Sequence, residues 1–234
     1  PKPVMMRLPE RGAYASVMSM DDLLMNLVLA GVAGYVLKLW LDDVRRHGQP
    51  PAVAEGKDPP PPLPGATLAG TGLVVGSALI GLGMCLAATG VEAATGWLAD
   101  QREIAASFLL AMLGAAVIEE LIFRGYLVVT RRGTAVMIAA VIGASLLFAL
   151  AHPYLWSVDR GDGWSPAAWT WTWSLRPADF FFTATIFINS LVFYALRLGP
   201  WNPSRSLLPC MIAHAAYNVG VFAVKLACGK VILG

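Results

Sequence analysis

Glu119, Glu120, Arg124, His152, His214 and Asn218 could do chemistry, and each sits in or beside a long apolar stretch. A charge at the centre of a bilayer costs roughly 2.5–3.5 kcal/mol on insertion scales. Three charges in the run Glu119-Glu120-Leu121-Ile122-Phe123-Arg124 therefore need something to offset them. Residues four apart stack on one face of a helix, so Glu120 lies under Arg124 and can pair with it. Glu119 points in another direction and stays free to act as a general base for water. His214 and Asn218 are also four apart and share a face. An imidazole and a carboxamide aimed at one point can donate hydrogen bonds to a developing oxyanion. Glu119 and His152 could hold and deprotonate a water between them. Phe148, four residues before His152, would shape the pocket. His47, the remaining histidine of three, falls outside the apolar runs and is expected in water.

The elements that must position these groups are membrane spans. The 234-residue chain is 57% hydrophobic and only 14% charged, with a mean hydropathy of +0.62. Soluble domains carry about 25% charged residues. The expected fold class is all-α: a polytopic transmembrane bundle of about six spans, with an interfacial or re-entrant segment besides. Helices are the only structures that satisfy the backbone inside lipid for runs of this length. The formal charge of +2 gives no reason to expect a nucleic-acid partner. Three cysteines (Cys85, Cys210 and Cys228) form neither a disulfide framework nor a C-x-x-C pair. No cleavable signal peptide is evident.

Residues 1–22 read as an N-terminal interfacial segment and residues 23–46 as the first transmembrane helix. Residues 47–70 are a Pro-rich linker whose run Pro59-Pro60-Pro61-Pro62 favours extended polyproline II geometry and a semi-rigid spacer. Residues 71–234 form the remaining helical core, with spans expected at 73–91, 104–130, 134–151, 179–196 and 207–227. Between the fourth and fifth lies a stretch holding Trp156, Trp164, Trp169, Trp171 and Trp173, five of the eight tryptophans. Its alternation would be strand-like in water. Beside membrane spans an interfacial lid or re-entrant segment is expected instead.

Taken together, Glu119-Glu120-x-x-x-Arg124, Phe148-x-x-x-His152 and His214-x-x-x-Asn218 resemble the three-motif pattern of the CAAX-protease and bacteriocin-processing family. That family of intramembrane proteases includes the type II CAAX prenyl endopeptidases. The motifs occur in the family's order, each on a different expected span, and the resemblance covers residues 105–224. It implies an intramembrane glutamate-type endopeptidase that hydrolyses a peptide bond in a membrane-anchored protein or peptide. It also implies that Glu119 and His152 activate the water, that His214 and Asn218 stabilise the oxyanion, and that Glu120 and Arg124 support the site. Prenylated CAAX proteins are one substrate class of the family; bacteriocin maturation and self-immunity are prokaryotic associations. The expected chemistry needs no cofactor. The alternative is zinc held by Glu119, His152 and His214, although no His-Glu-x-x-His helix is present. The Ala- and Gly-rich composition points to the bacterial inner (cytoplasmic) membrane. A non-catalytic membrane scaffold or immunity-type protein is the competing function. In that case the same polar groups would only fix helix packing.

Overall fold

The computed structural model describes residues 20–47, 61–130, 132–159 and 169–233. Among these are six α-helices: α1 (Met20–His47), α2 (Thr71–Thr95), α3 (Phe108–Glu119), α4 (Thr134–Ala151), α5 (Pro177–Leu198) and α6 (Leu208–Ala227). Five of them, all but α3, are long and apolar enough to cross a membrane. The protein is an all-α polytopic membrane bundle. On α1, α2 and α4 many apolar side chains point outward, as Leu24, Val28 and Val32 do on α1 and Leu79 and Leu86 on α2. In lipid that face needs no protein cover, and the helices associate through small residues and polar contacts instead.

The contacts set the helix directions. Asn26 of α1 donates to Ser107 at the start of α3, and further along Ala33 meets Gly114, so α1 and α3 run parallel. Gly81 of α2 lies against Ala213 of α6, and Cys85 against Gly220, so these two also run parallel. A Cβ on Gly81 would sit 2.1 Å from the Ala213 carbonyl oxygen, so only glycine permits this approach. α3 and α6 are antiparallel, with Met112 beside Asn218 and Glu120 beside His214.

The expected third span, 104–130, is shorter and interrupted. Ile104–Ala105 is a strand (β1) that pairs in parallel with Val231–Ile232 (β4), so the helix begins only at Phe108. At Glu120 the hydrogen bonding widens to a π-helix, Glu120–Tyr126, which ends with the Leu127 N–H donating to the Ile122 carbonyl. Such widened turns are rare and concentrate at functional sites.

The tryptophan-rich stretch is a β-ribbon, not a re-entrant segment. Trp156–Asp159 (β2) pairs antiparallel with Thr170–Trp173 (β3), and Trp156 stacks near Trp171 at 5.4 Å between ring centres. The period-2 pattern prevails because the two strands satisfy each other's backbone groups. Trp171 and Trp173 project outward, as suits an aromatic belt. Trp164 lies outside the described residues.

The linker divides in two. Residues 48–60 lie outside the described residues, and so do residues 1–19 of the interfacial segment expected at 1–22, whose last three residues begin α1. Residues 61–70 are docked rather than spacer-like. The Trp40 indole donates to the Pro64 carbonyl at 3.2 Å, and the Leu63 N–H to Asp43 at 2.8 Å. The Leu207 N–H and the Ser206 hydroxyl then donate to the carbonyls of Gly65 and Thr67. These bonds join the end of α1 to the α5–α6 turn over an apolar cluster of Trp40, Ala66, Leu121, Leu207 and Met211.

Candidate active site

Glu120 opens the π turn with its side chain fully buried, and Arg124 lies over it at 3.0 Å (Nη1 to Oε1), as the four-residue spacing predicts. The guanidinium is fully buried too. Its charge is spread over an aromatic box, 4.5 Å above the Phe148 ring, 5.0 Å from Tyr194 and 5.3 Å from Phe193. Cation–π contacts of this kind offset part of the desolvation cost. Its Nη2 donates to the Ser190 hydroxyl on α5, which donates to Ser145 on α4 at 3.0 Å. Tyr194 adds a bond of 2.6 Å to the Phe123 carbonyl. The pair is thus a structural knot joining the π turn to α4 and α5.

The knot reaches α6 through His214, whose Nδ1–H donates to Oε1 of Glu120 at 2.9 Å while its ring stacks on Phe193. A carboxylate can only accept here, so Nδ1 carries the proton and Nε2 is the open nitrogen. That Nε2 lies 3.9 Å from Oε2 of Glu119. Glu119 is the accessible member of the acidic pair, with its side chain 30% exposed against none for Glu120. A gap of 3.9 Å is too long for a direct hydrogen bond; groups at such separations interact through small shifts or a bridging water.

His152 ends α4, and its Nδ1–H donates to the Phe148 carbonyl at 2.8 Å. Its open nitrogen is again Nε2. The buried Phe148 ring meets both imidazoles edge-on, 4.9 Å from His152 and 6.3 Å from His214 between ring centres. Phe148 thereby contacts both histidines and also shields Arg124. Asn218 lies one turn beyond His214 and donates from Nδ2 to the Met112 carbonyl of α3 at 2.8 Å. The carboxamide nitrogen has two hydrogens, so one donor remains after this bond.

The structure therefore brings Glu119, Glu120, Arg124, Phe148, His152 and His214 into one connected cluster, with Asn218 at its edge tied to α3. Ser145, Ser190, Phe193 and Tyr194 belong to it and are absent from the sequence-based candidates. Small hydroxyls in mid-span, as at Ser145 and Ser190, are the signal that could have found the first two. Among the described residues no three His, Cys, Asp or Glu side chains are gathered so as to hold a metal ion. Of the three residues named for zinc, His214 has its Nδ1 on Glu120 and its Nε2 towards Glu119.

Chemically, the cluster offers an accessible carboxylate, an imidazole nitrogen across from it, a second imidazole against the same aromatic ring, and a carboxamide nearby. The buried ion pair holds His214, while His152 and Asn218 are held by backbone carbonyls. No curated protein and no solved structure matches the chain. Residues 101–220, about half of the chain, match the family described as type II CAAX prenyl endopeptidase, Rce1-like. The matched region begins just before α3 and ends in α6, so it contains every residue of the cluster. The chain belongs to this Rce1-like family of membrane proteases.

Proposed function

We propose that the protein is an intramembrane endopeptidase in which Glu119 takes a proton from water, and that this water attacks a peptide bond of a membrane-anchored substrate. The observation that carries this proposal is the unequal treatment of the two adjacent carboxylates. Glu120 is sealed and spent on Arg124 and His214, whereas Glu119 is accessible and faces the open nitrogen of His214 at 3.9 Å. His152 presents its Nε2 as the second contact for the water. Glu119 passes the proton it took from water to the facing Nε2 of His214. That nitrogen then donates to the oxyanion and gives the proton to the leaving amine as the peptide bond breaks. Glu120 at Nδ1 supports the positive charge on that ring, as carboxylate–histidine pairs do. The remaining carboxamide donor of Asn218 completes the hole. Proton transfer by a positioned base contributes about 10²–10⁴ in rate, and one oxyanion donor about 10²–10³. The proposed chemistry uses no metal.

The substrate class we assign is a protein or peptide held at the membrane by its own anchor, with prenylated C-terminal peptides as the first to test. A bacterial cytoplasmic membrane is the setting we assign. The test is incubation of purified protein with a farnesylated C-terminal peptide and with membrane-anchored peptides lacking the prenyl group. Product is followed by mass spectrometry, and a chelator is added in a parallel arm. Cleavage by the wild type and loss in Glu119→Gln support the proposal. Undiminished cleavage by Glu119→Gln overturns the mechanism, and inhibition by chelator overturns its metal-free form.

One observation favours a second reading, the non-catalytic scaffold. The Asn218–Met112 and Arg124–Ser190–Ser145 bonds tie helices together as packing polar groups do. On that reading Glu119→Gln changes neither product formation nor phenotype wherever the protein accumulates.

A further inference from the structure

A second charged site lies at one end of the bundle and takes no part in the proposed hydrolysis. A cavity of about 360 Å³ opens between the end of the π turn, the start of α4 and the end of α5. Gly125, Thr130, Met137, Arg197 and Arg205 line it. Gly125 is six residues past Glu119, roughly 9 Å along the helix axis. Arg197 is 8% exposed, and its Nε and Nη1 have neither solvent nor a hydrogen-bond partner among the described residues. A guanidinium taken out of water without a partner is costly, so in the working protein a counter-charge is expected there. Arg205 stands beside it, exposed, with its backbone at φ 53° and Nη1 donating to the Leu198 carbonyl at the end of α5. Among the described residues no carboxylate lines the cavity.

A third feature has the same sign. Met137 belongs to the first turn of α4, which begins after Gly133 and has no acidic residue in that turn. The positive end of the helix dipole is thus unopposed by a carboxylate of its own first turn near this wall. Two guanidiniums, a threonine hydroxyl and a helix N-terminus around a roomy cavity suit an anion with several acceptor oxygens. The planar guanidinium fork matches phosphate. The depth is also informative, because the spans α4 and α5 begin and end here, at the level where lipid headgroups lie.

We propose that the Arg197–Arg205 cavity binds a phosphate group, the source being the headgroup of an anionic phospholipid at the membrane surface. This proposal does not depend on the hydrolytic one. It connects to the cluster physically: Arg197 lies one turn beyond Tyr194, whose ring covers Arg124 and whose hydroxyl holds the π turn. Occupancy would neutralise the guanidinium and stiffen that wall.

The test uses the full chain in neutral maltoside micelles. Native mass spectrometry measures retention of phosphatidylglycerol against phosphatidylcholine, and thermal unfolding is recorded with and without inorganic phosphate. The expected result is preferential retention of phosphatidylglycerol by the wild type and about a tenfold loss in Arg197→Gln and in Arg205→Gln, the size of one charge-assisted hydrogen bond. Arg197 makes no bond among the described residues, so Arg197→Gln should melt no lower than the wild type in lipid-free micelles. The exposed Arg205 supplies a second variant if it does. Stabilisation of the wild type alone by inorganic phosphate, without lipid preference, would keep the phosphate site and assign it a soluble ligand. Equal phosphatidylglycerol retention by wild type and both variants, with no effect of phosphate, overturns the proposal.

Discussion

Replacing Gly81 with alanine should disturb the candidate site from the far side of α6. A Cβ at this position would lie 2.1 Å from the Ala213 oxygen and 3.1 Å from its Cα. An ordinary C···O contact is about 3.3 Å or longer, so α2 and α6 must separate by roughly 1.2 Å at this level. The obstacle is backbone, and no rotamer change relieves it. Overpacking of this kind costs about 1–3 kcal/mol. Ala213 precedes His214, whose two nitrogens face Glu120 at 2.9 Å and Glu119 at 3.9 Å. A displacement near 1 Å at a catalytic group can cost about 10²-fold in rate. The control is Gly83→Ala on the same helix, where a Cβ meets nothing within 4 Å and helix propensity improves by up to about 1 kcal/mol. The assay is unfolding in detergent by tryptophan fluorescence, paired with peptide hydrolysis. Gly81→Ala should lose stability and activity while Gly83→Ala keeps both. A Gly81→Ala variant as stable and active as the wild type would refute the close helix approach.

Further outcomes follow from the same contacts. Glu120→Gln and Arg124→Gln each leave a buried charge with its main partner gone, and should each destabilise the bundle by roughly 3–5 kcal/mol in chemical unfolding. The double variant should lose less than the sum, because the two substitutions remove one shared interaction. Trp40→Phe removes the indole bond to Pro64, worth about 0.5–1.5 kcal/mol, and should speed limited proteolysis within 61–70 without changing the helix content. Trp156→Phe removes the 2.7 Å bond to the Leu150 carbonyl that fastens the ribbon to the end of α4. Hydrogen exchange at amides 170–173 should then accelerate by up to about tenfold. Unchanged exchange there would show that the ribbon is held by other contacts.

Sequence alone made some elements legible because their signals are local. α4 begins after Gly133 and is capped by His152, and the run between them carries no charge, so both bounds are readable. The Glu120–Arg124 pair is readable for the same reason, since helix geometry alone sets a four-residue spacing. The start of α3 is not readable, because it depends on the pairing of Ile104 with Val231, which follows α6 more than 120 residues later. The π turn leaves no composition signal in Glu120–Tyr126 either. The ribbon shows how context can mislead. Trp169 to Trp173 carries a strand period that its membrane setting argued against, but pairing with Trp156–Asp159 satisfies the backbone of both segments.

The candidate site divides along the same line. Its residue types and their order were visible, and family membership fits that order. The hydrogen bond between His214 and Glu120, rather than Glu119, was not visible. It depends on the antiparallel packing of α3 with α6 and on the close approach at Gly81. Asn218 depends on that packing too, since its partner Met112 lies two helical turns before Glu119. Ser190 and Ser145 become recognisable only once Arg124 is seen to need a second partner.

The division of labour between Glu119 and Glu120 is the central claim, and one paired measurement tests it most directly. Glu119→Gln and Glu120→Gln are purified side by side, and each is assayed for unfolding and for hydrolysis of a farnesylated C-terminal peptide. Glu119→Gln is predicted to keep wild-type stability and lose about 10²–10⁴ in rate, while Glu120→Gln loses stability first. A fully active Glu119→Gln, or a Glu120→Gln as stable as the wild type, would contradict the account.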